Sequence, residues 1–427
     1  MDPISVVWLR RDLRLFDNKA ILKAKEFNLP IILLFIFDDD IINELKKDDP
    51  RITFIYQQLK KINDQLNKNG SSILIKKGKP LEVWNELKKS FNIINITCAR
   101  DYEPYAQSRD KAIFEWAKQH GINFIGVKDQ VIFEKNEVLK KDGKPYTVYT
   151  PYKNKWLEQF QQTKIEVIEN INYELISKSQ FDFPTLEILQ LQKSKINVLD
   201  YDISVMEDYG EFRDIPHKDR TSYLSPHLRF GTVSIRQLVL LAKNKNETFL
   251  SELIWREFFM QILYHFPHVI DKSFKEKYDR IPWINNEEDF EKWCEGKTGY
   301  PLVDAGMRQL NQTGYMHNRV RMVVASFLCK HLLIDWRWGE AYFAEKLLDY
   351  ELSSNNGNWQ WAAGSGCDAA PYFRVFNPTS QLDKFDKELK YVKKWVPEYD
   401  TPKYPNPLVE HRFARQRALD TYKSALG

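Results

Sequence analysis

The segment TFLSELIWREFF combines side chains of very different chemistry at helical spacing. The residues at i, i+3, i+4 and i+7 are Glu252, Trp255, Arg256 and Phe259. On a helix they share one face, which could line a cavity that stacks planar rings. The alternative is an ordinary amphipathic helix, in which Glu252 and Arg256 form a surface ion pair worth about 0.5 kcal/mol.

Polar residues also stand beside apolar runs in two later segments. In HNRVRMVVASF, Asn318 and Met322 are four residues apart and share a helix face. LLDYELSSNN adds Asp349, Glu351 and Asn355. A single Asn at such a place is usually a helix cap. Several amides and carboxylates arriving from separate helices favour a lined cavity instead.

Two tryptophans lie one residue apart in SSNNGNWQWAAGSG. Neighbours at this spacing point in different directions on a helix or a loop, so one core cannot easily absorb both Trp359 and Trp361. The two indoles therefore predict two roles, one internal and one facing a different environment.

Composition excludes several classes of protein. The chain has 427 residues, 43% hydrophobic and 29% charged, which is typical of a globular protein long enough for two domains. A net charge of +4 requires any nucleic-acid binding to use a local basic patch. The four cysteines lack the spacing of a metal site or a disulfide scaffold. Without a signal peptide or an apolar run of membrane-spanning length, we expect a cytoplasmic protein.

The first part of the chain alternates short apolar runs with helical patterns, which predicts an α/β domain with a doubly wound, parallel, five-stranded sheet. The predicted strands are Ile4–Leu9, Ile31–Phe37, Ser72–Ile75, Ile93–Thr97 and Ile122–Val127. No GxGxxG follows the first strand, so the common dinucleotide fingerprint is absent. After about residue 200 only helical patterns remain. We therefore predict an α/β domain (1–130), a long irregular connector (131–200) and an all-α domain (201–427).

Several blocks of the sequence carry a family resemblance. ELIWREFF, GYMHNRVRM, LLIDW, NNGNWQWAAGSGCDAAPYFRVFNP and the opening WLRRDLRLFDN resemble the photolyase/cryptochrome flavoproteins over residues 4–415, most closely a class I cyclobutane pyrimidine dimer photolyase. The resemblance implies an all-helical domain that binds FAD, active as FADH⁻. It also implies a second, light-harvesting antenna chromophore on the α/β domain, a deazaflavin or a flavin in preference to methenyltetrahydrofolate.

The resemblance also implies the residues that hold FAD. Two groups are expected, one at the phosphates and one at the isoalloxazine ring. They comprise Tyr209, Thr221, Ser222, Leu224, Ser225, Glu252, Arg256, Asn318, Arg321, Asp349, Glu351 and Asn355. Arg321 would compensate the negative flavin while Asp349 holds Arg321. The family usually has a shorter carboxylate where Glu351 stands.

A substrate pocket and a DNA surface follow from the same resemblance. Trp255 and Trp361 would form the apolar walls around a pyrimidine dimer flipped out of DNA. The catalytic residues implied are Glu252, Asn318, Met322 and Asn355. Phosphates beside the lesion would contact Arg319, Arg374 and Lys384. Trp359, Trp336 and Trp283 would relay electrons from the surface to the flavin, although each alone could be a core tryptophan.

The predicted function is light-dependent repair of cyclobutane pyrimidine dimers, in single- or double-stranded DNA, by a monomer that needs no metal, no membrane and no obligatory protein partner. A (6-4) photolyase is an alternative, but it relies on a His pair where this chain has His317 and Asn318. A cryptochrome photoreceptor and a light-independent flavin reductase are further alternatives. Arg10, Arg11 and Arg14 would lie near the antenna or serve as structural ion-pair partners.

Overall fold

The computed structural model describes residues 1–168 and 173–427. The chain divides into two compact units, each discontinuous in sequence. The first consists of Met1–Glu137, Gln159–Tyr201 and Tyr223–Asn244, and the second of Val138–Glu158, Asp202–Ser222 and Lys245–Gly427. Residues 169–172, which belong to the predicted connector, lie outside the described residues.

The first unit contains a parallel sheet of five strands in the order β3-β2-β1-β4-β5. Its strands are β1 (Pro3–Leu9), β2 (Ile31–Asp38), β3 (Leu74–Gly78), β4 (Asn92–Ala99) and β5 (Asn123–Val127). The helices between them are α1 (Lys19–Lys25), α2 (Asp39–Ile42), α3 (Pro50–Asn67), α4 (Pro80–Ser90) and α5 (Pro104–Gln119). The predicted doubly wound α/β fold is confirmed.

Strand β1 shows why the sheet has continuous apolar runs. Val7 and Leu9 pack into one hydrophobic cluster, while Val6 and Trp8 pack into another. Because successive side chains of a strand point to opposite faces, both faces of the sheet are covered. Helix α1 begins at Lys19 after a loop, and the Asn18 side chain caps it by accepting bonds from the N–H groups of Ala20 and Ile21.

One strand begins later than the sequence predicts. Strand β3 starts at Leu74, not at Ser72, because the two preceding residues bond to other partners. The Ile73 N–H donates to Asn63 Oδ1 at 3.1 Å, and the Ser72 hydroxyl donates to the Ser179 carbonyl at 3.0 Å. Apolar character alone did not reveal these bonds.

The later part of the chain is helical, as predicted. The remaining helices are α6 (Tyr149–Gln162), α7 (Tyr209–Phe212), α8 (Leu224–Phe230), α9 (Ile235–Lys245), α10 (Glu247–His265), α11 (Glu287–Glu295), α12 (Pro301–Thr313), α13 (Asn318–Ser326), α14 (Trp336–Lys346), α15 (Leu352–Ala363), α16 (Pro378–Phe385), α17 (Lys390–Trp395) and α18 (His411–Leu426). Short 3₁₀ segments cover Ser204–Met206, Pro216–Lys218, Pro267–Ile270 and Glu276–Arg280, and Phe327–His331 forms a π-helical turn.

Helix α6 lies in the segment that the sequence predicts to be irregular. Its Pro151 occupies the first turn, where a missing N–H costs little. Tyr152 and Trp156 are four residues apart and fully buried. The Tyr152 hydroxyl donates to Glu257 Oε1 at 3.3 Å, and the Trp156 indole N–H donates to the same oxygen at 2.7 Å. These bonds to Glu257 stabilise α6. The Lys-, Tyr- and Pro-rich composition of the segment gave no helical pattern that would predict it.

None of the helices formed by residues 1–168 and 173–427 combines the length and the apolar character needed to cross a membrane.

Candidate functional site

Helix α10 of the second unit presents the stripe predicted from TFLSELIWREFF. Its N-terminus is fixed by Asn246, whose side chain accepts from the Phe249 N–H at 3.0 Å. Glu252, Trp255 and Arg256 are half-buried, whereas Leu253 and Ile254 between them are buried. The helix thus keeps Glu252, Trp255 and Arg256 partly accessible while its other side fills the core.

Glu252 has a partner that the sequence analysis did not identify. Arg213, which follows α7, donates to Glu252 Oε1 at 2.7 Å. The Arg213 guanidinium also lies 5.3 Å from the centre of the Tyr209 ring. Burial raises the pKa of Tyr209 to about 12, so its hydroxyl remains a donor at neutral pH. The position of Arg213 four residues after Tyr209 was the only signal in the sequence.

Two further arginine–carboxylate pairs stand near the start of α15. Arg321 Nη2 donates to both carboxylate oxygens of Asp349, at 3.0 and 3.2 Å, and its Nε donates to the Met316 carbonyl. Arg256 Nε lies 3.6 Å from Glu351 Oε2, and Glu351 is only 5% exposed. Glu351, the longer carboxylate at this position, therefore reaches Arg256, and each arginine charge is locally balanced.

Asn355 is held by a residue that the sequence analysis missed. The Asn355 amide donates to the Glu340 backbone carbonyl at 3.0 Å and to Glu340 Oε1 at 2.9 Å. Burial raises the pKa of Glu340, and the bond from Asn355 opposes that shift. Because both bonds use the amide nitrogen, they fix the direction in which the Asn355 oxygen points.

The two neighbouring tryptophans of α15 do face different environments. Trp359 is 2% exposed and lies edge-on to Phe343 and Trp293, with ring centroids 5.0 and 6.1 Å away. Trp361 is half-buried, with its ring centroid 6.5 Å from that of Phe376. A Cβ at Gly339 would stand 2.1 Å from Trp359, so α14 must have a glycine there.

The other two tryptophans of the predicted relay occupy the same hydrophobic cluster. Trp336 is 1% exposed, and Trp283 packs half-buried against the cluster that also contains Trp359. Exposure therefore increases from Trp359 and Trp336 to Trp283. The electron relay through these three residues stays a prediction.

The three predicted phosphate-binding cations lie beside aromatic rings. Arg319 and Lys384 both approach Phe385, with distances to the ring centre of 4.5 and 5.2 Å. Arg319 also donates to Asp214 Oδ1 at 2.8 Å. Arg374 lies 5.3 Å from the centre of Phe376, the ring that also adjoins Trp361. Each of the three cations therefore lies within cation–π distance of Phe376 or Phe385.

The start of α13 contributes Asn318, its exposed first residue, and Met322, whose sulfur lies 3.7 Å from Arg319 Nη1. His317 caps this helix by accepting from the Arg319 N–H at 3.2 Å. Burial lowers the pKa of His317 to about 4, which keeps the imidazole neutral and able to accept.

The predicted phosphate-binding stretch is divided between the units. Thr221 and Ser222 belong to the second unit, while Leu224 and Ser225 begin α8 in the first. In the second unit, the Ser222 carbonyl accepts from the Asp202 N–H at 2.9 Å.

In the first unit, Arg11 and Arg14 are ion-pair partners. Arg14 Nη2 lies 2.7 Å from Asp129 Oδ2, and Arg11 Nη1 lies 3.2 Å from Asp101 Oδ1. Arg10 pairs with Asp110 and also lies over the Trp8 ring at the carboxyl end of β1, where Arg109 approaches the same ring.

The side chains of the second unit chemically fit a large anionic cofactor with a polar ring. Arg321 supplies a cation, Asn355 an oriented amide, and Thr221 and Ser222 supply hydroxyls that suit phosphate oxygens.

Comparisons with known proteins agree with this chemistry. Residues 5–169 match the family model described as DNA photolyase, and residues 249–403 match the FAD binding domain of DNA photolyase. The deoxyribodipyrimidine photo-lyase of Vibrio cholerae is 35% identical, over 99% of this chain and 100% of the relative.

Two solved structures resemble the whole chain. A bacterial class III photolyase from Agrobacterium tumefaciens has a TM-score of 0.86 at 33% identity, covering 100% of this chain and 98% of its own. An archaeal photolyase from Sulfolobus tokodaii with two FAD molecules also has a TM-score of 0.86, at 35% identity and coverage of 98% and 99%.

An α/β unit together with a helical unit that carries an FAD-binding domain defines a flavoprotein. More specifically, the chain belongs to the DNA photolyase family of enzymes.

Proposed function

We propose that this protein repairs cyclobutane pyrimidine dimers in DNA in a light-dependent reaction. The observation that supports this most is the packing of α15 against both α10 and α13. A Cβ at Gly357 would stand 2.2 Å from Phe259, so the helices α15 and α10 approach closely. The stripe on α10, the start of α13 and Trp361 therefore belong to one helical assembly.

In this proposal, each side chain has a defined task. Trp255 and Trp361 pack against the flipped-out dimer, and Glu252 hydrogen-bonds to its carbonyl and imino edge. Asn318 and Met322 complete the pocket. Arg319, Arg374 and Lys384 bind the phosphates that flank the lesion.

FAD would be held by the same unit, with Tyr209, Thr221, Ser222 and Arg256 on the phosphate side and Arg321, Asp349, Glu351 and Asn355 beside the ring. Glu252 and Asn318 would contribute to both the cofactor site and the dimer pocket. Leu224 and Ser225, which belong to the first unit, stay predictions from the sequence. When bound, reduced FAD supplies the electron that light drives onto the dimer and that returns after the cyclobutane ring splits. Trp359, Trp336 and Trp283 are proposed to deliver the electrons that keep FAD reduced.

We also propose an antenna chromophore of the deazaflavin or flavin type on the first unit. Ligands of open parallel sheets bind at the carboxyl ends of the strands. There, Trp8 is flanked by Arg10 and Arg109, each 4.9 Å from its ring centre, and the Tyr105 hydroxyl donates to Asp38 at 2.6 Å. The Sulfolobus tokodaii photolyase, whose two FAD molecules imply a novel light-harvesting cofactor, supports a flavin in this role.

The remaining predictions are part of the same proposal. The protein would act as a cytoplasmic monomer of class I on single- or double-stranded DNA, with the domain division 1–130, 131–200 and 201–427.

The test uses purified, reduced protein and two oligonucleotides, one with a cyclobutane dimer and one with a (6-4) photoproduct. Each is incubated under near-UV or blue light and in the dark, and the remaining lesions are counted. The proposal predicts loss of cyclobutane dimers in the light only. Equal dimer content in light and dark would refute it, and loss of (6-4) products alone would favour the alternative chemistry.

A further inference from the structure

Tyr149, the first residue of α6, makes an unusually close contact with Trp255. The centroids of the two side-chain rings are 3.6 Å apart and their planes differ by 8°. Tyr149 is itself buried, at 7% exposed, and its ring lies parallel against one face of the indole. Phe259, with its ring centroid 5.4 Å away and inclined by 30°, adds a second aromatic contact to Trp255. The Trp255 ring is therefore held in a single orientation.

Both ends of Tyr149 are fixed to other parts of the second unit. Its hydroxyl donates to the Ser251 carbonyl at 2.7 Å and lies 2.6 Å from Ser251 Oγ. Ser251 precedes Trp255 by one helical turn, so the phenol ring lies along the face of α10 that presents the indole. At the other end, the Tyr149 N–H donates to Asp368 Oδ2 at 2.9 Å.

The bond to Asp368 connects the two proposed walls of the pocket. Asp368 follows α15 in the chain, seven residues after Trp361. Tyr149 thus contacts Trp255 through its ring and the segment that follows Trp361 through its backbone. A residue placed in this way ties the Trp255 ring to the segment that follows Trp361 before any ligand binds.

We infer that Tyr149 is a positioning residue for the recognition of pyrimidine dimers. It holds Trp255 in the orientation that receives the dimer, so that binding does not have to immobilise the indole. This inference rests on the proposed function, because it assigns the pocket walls to dimer binding. Selectivity for dimer DNA, and not the chemical step, is the property that depends on Tyr149.

The test compares variants in dimer affinity and in chemistry. Tyr149→Ala should bind a dimer-containing oligonucleotide about tenfold more weakly than wild type, because binding must then immobilise the Trp255 side chain. Its affinity for undamaged DNA, its FAD content and its repair rate per flash at saturating DNA should be unchanged. Tyr149→Phe keeps the stacked ring and should restore most of the selectivity. Tyr146→Ala, a half-buried tyrosine of the same segment, serves as the matched control.

Three results would contradict the inference. Tyr149→Ala could keep the wild-type preference for dimer DNA, or it could lose affinity for damaged and undamaged DNA equally. If the wild-type protein prefers dimer DNA, either result would overturn this inference and leave the proposed function standing. A wild-type protein without any preference for dimers would overturn the proposed function and this inference together. If Tyr149→Ala does not fold, Tyr149→Leu provides the same comparison with the cavity filled.

Discussion

The side-chain amide of Asn355 is bound twice by Glu340, once at the backbone carbonyl and once at Oε1. Because both bonds use the amide nitrogen, Glu340 fixes how the Asn355 side chain is turned, and the flavin ring is proposed to bind beside it. Glu340→Ala leaves only the backbone acceptor, so Asn355 should lose its fixed orientation. We expect light-driven reduction of bound FAD to slow about threefold to tenfold, the value of one hydrogen bond.

The measurement is the loss of oxidised-flavin absorbance under constant light. Glu340→Gln retains an acceptor for Asn355 and should stay close to wild type. Glu345→Ala, on the exposed side of the same helix, is the control for general effects on α14. Unchanged reduction in Glu340→Ala would show that the orientation of Asn355 is irrelevant to the flavin.

Glu252 should be required for repair but dispensable for retaining FAD, because the other proposed FAD-binding residues remain in place. Removing its carboxylate in Glu252→Ala deletes a charge-assisted hydrogen bond to the dimer, which should slow repair by about tenfold to a hundredfold. Dimer loss per unit of light is measured at equal FAD content. Glu247→Ala, an exposed carboxylate on the same helix, should repair normally. If Glu252→Ala loses the yellow flavin, Glu252 is instead a structural residue of the cofactor site.

The fold was largely predictable because its signals are local. Strand β1 is buried on both faces and therefore reads as a continuous apolar run. The stripe on α10 follows from helical periodicity. Helix α6 was not predicted, because its buried aromatic residues hydrogen-bond to Glu257, which is about a hundred residues away in the sequence.

The site was predictable in its residue types but not in its partners. Arg213 and Glu252 are 39 residues apart, and Glu340 and Asn355 are 15 apart on different helices. Such contacts depend on how helices pack, which neither spacing nor composition reveals. Tyr149 escaped notice for the same reason, since it lies in a segment predicted to be irregular.

Trp359 should be essential for light-driven reduction of FAD. Trp359→Phe keeps an aromatic ring in the cluster but removes the readily oxidised indole, so reduction of oxidised FAD under light should be abolished. Flavin absorbance during illumination measures this directly. The matched variant Trp395→Phe changes a half-buried tryptophan that packs on the same cluster and should behave like wild type. Normal reduction in Trp359→Phe would contradict the proposed relay.

Two exposed cations should contribute to DNA binding through charge alone. Arg374→Gln and Lys384→Gln should each weaken binding of damaged and undamaged DNA alike. Each should reduce the slope of log affinity against log salt by about 1, because one counterion fewer is released. Affinities measured over a series of salt concentrations test this. The control variant Lys60→Gln changes an exposed lysine in the first unit and should leave the slope unchanged. An unchanged slope in Arg374→Gln and Lys384→Gln would show that these residues do not contact DNA.

Lys330 should make the free energy of unfolding increase with pH in the alkaline range. It is 1% exposed, donates to the Ala363 carbonyl at 2.9 Å, and lies 3.5 Å from the centre of the Tyr422 ring. Burial lowers the pKa of Lys330 from 10.5 to about 7. Between these values the unfolded lysine binds a proton that the folded one does not, so this residue makes the free energy of unfolding rise with pH.

Lys330→Met removes the titrating amine and, with it, this pH dependence of the free energy of unfolding. The free energy of unfolding of wild type, relative to Lys330→Met, should therefore increase between about pH 7 and about pH 9.5. Denaturant unfolding at both pH values gives the difference. Lys393→Met, an exposed lysine, should show no such trend. A difference that is the same at both pH values would show that Lys330 stays charged in the folded protein.

The most direct measurement of the central claim uses Trp359→Phe, which should be unable to reduce its own FAD in light. One sample is reduced chemically beforehand and one is left oxidised, and both receive the same illumination with dimer-containing DNA. We predict that dimers disappear only in the reduced sample. Equal loss of dimers in the two samples would contradict repair driven by an electron from reduced FAD.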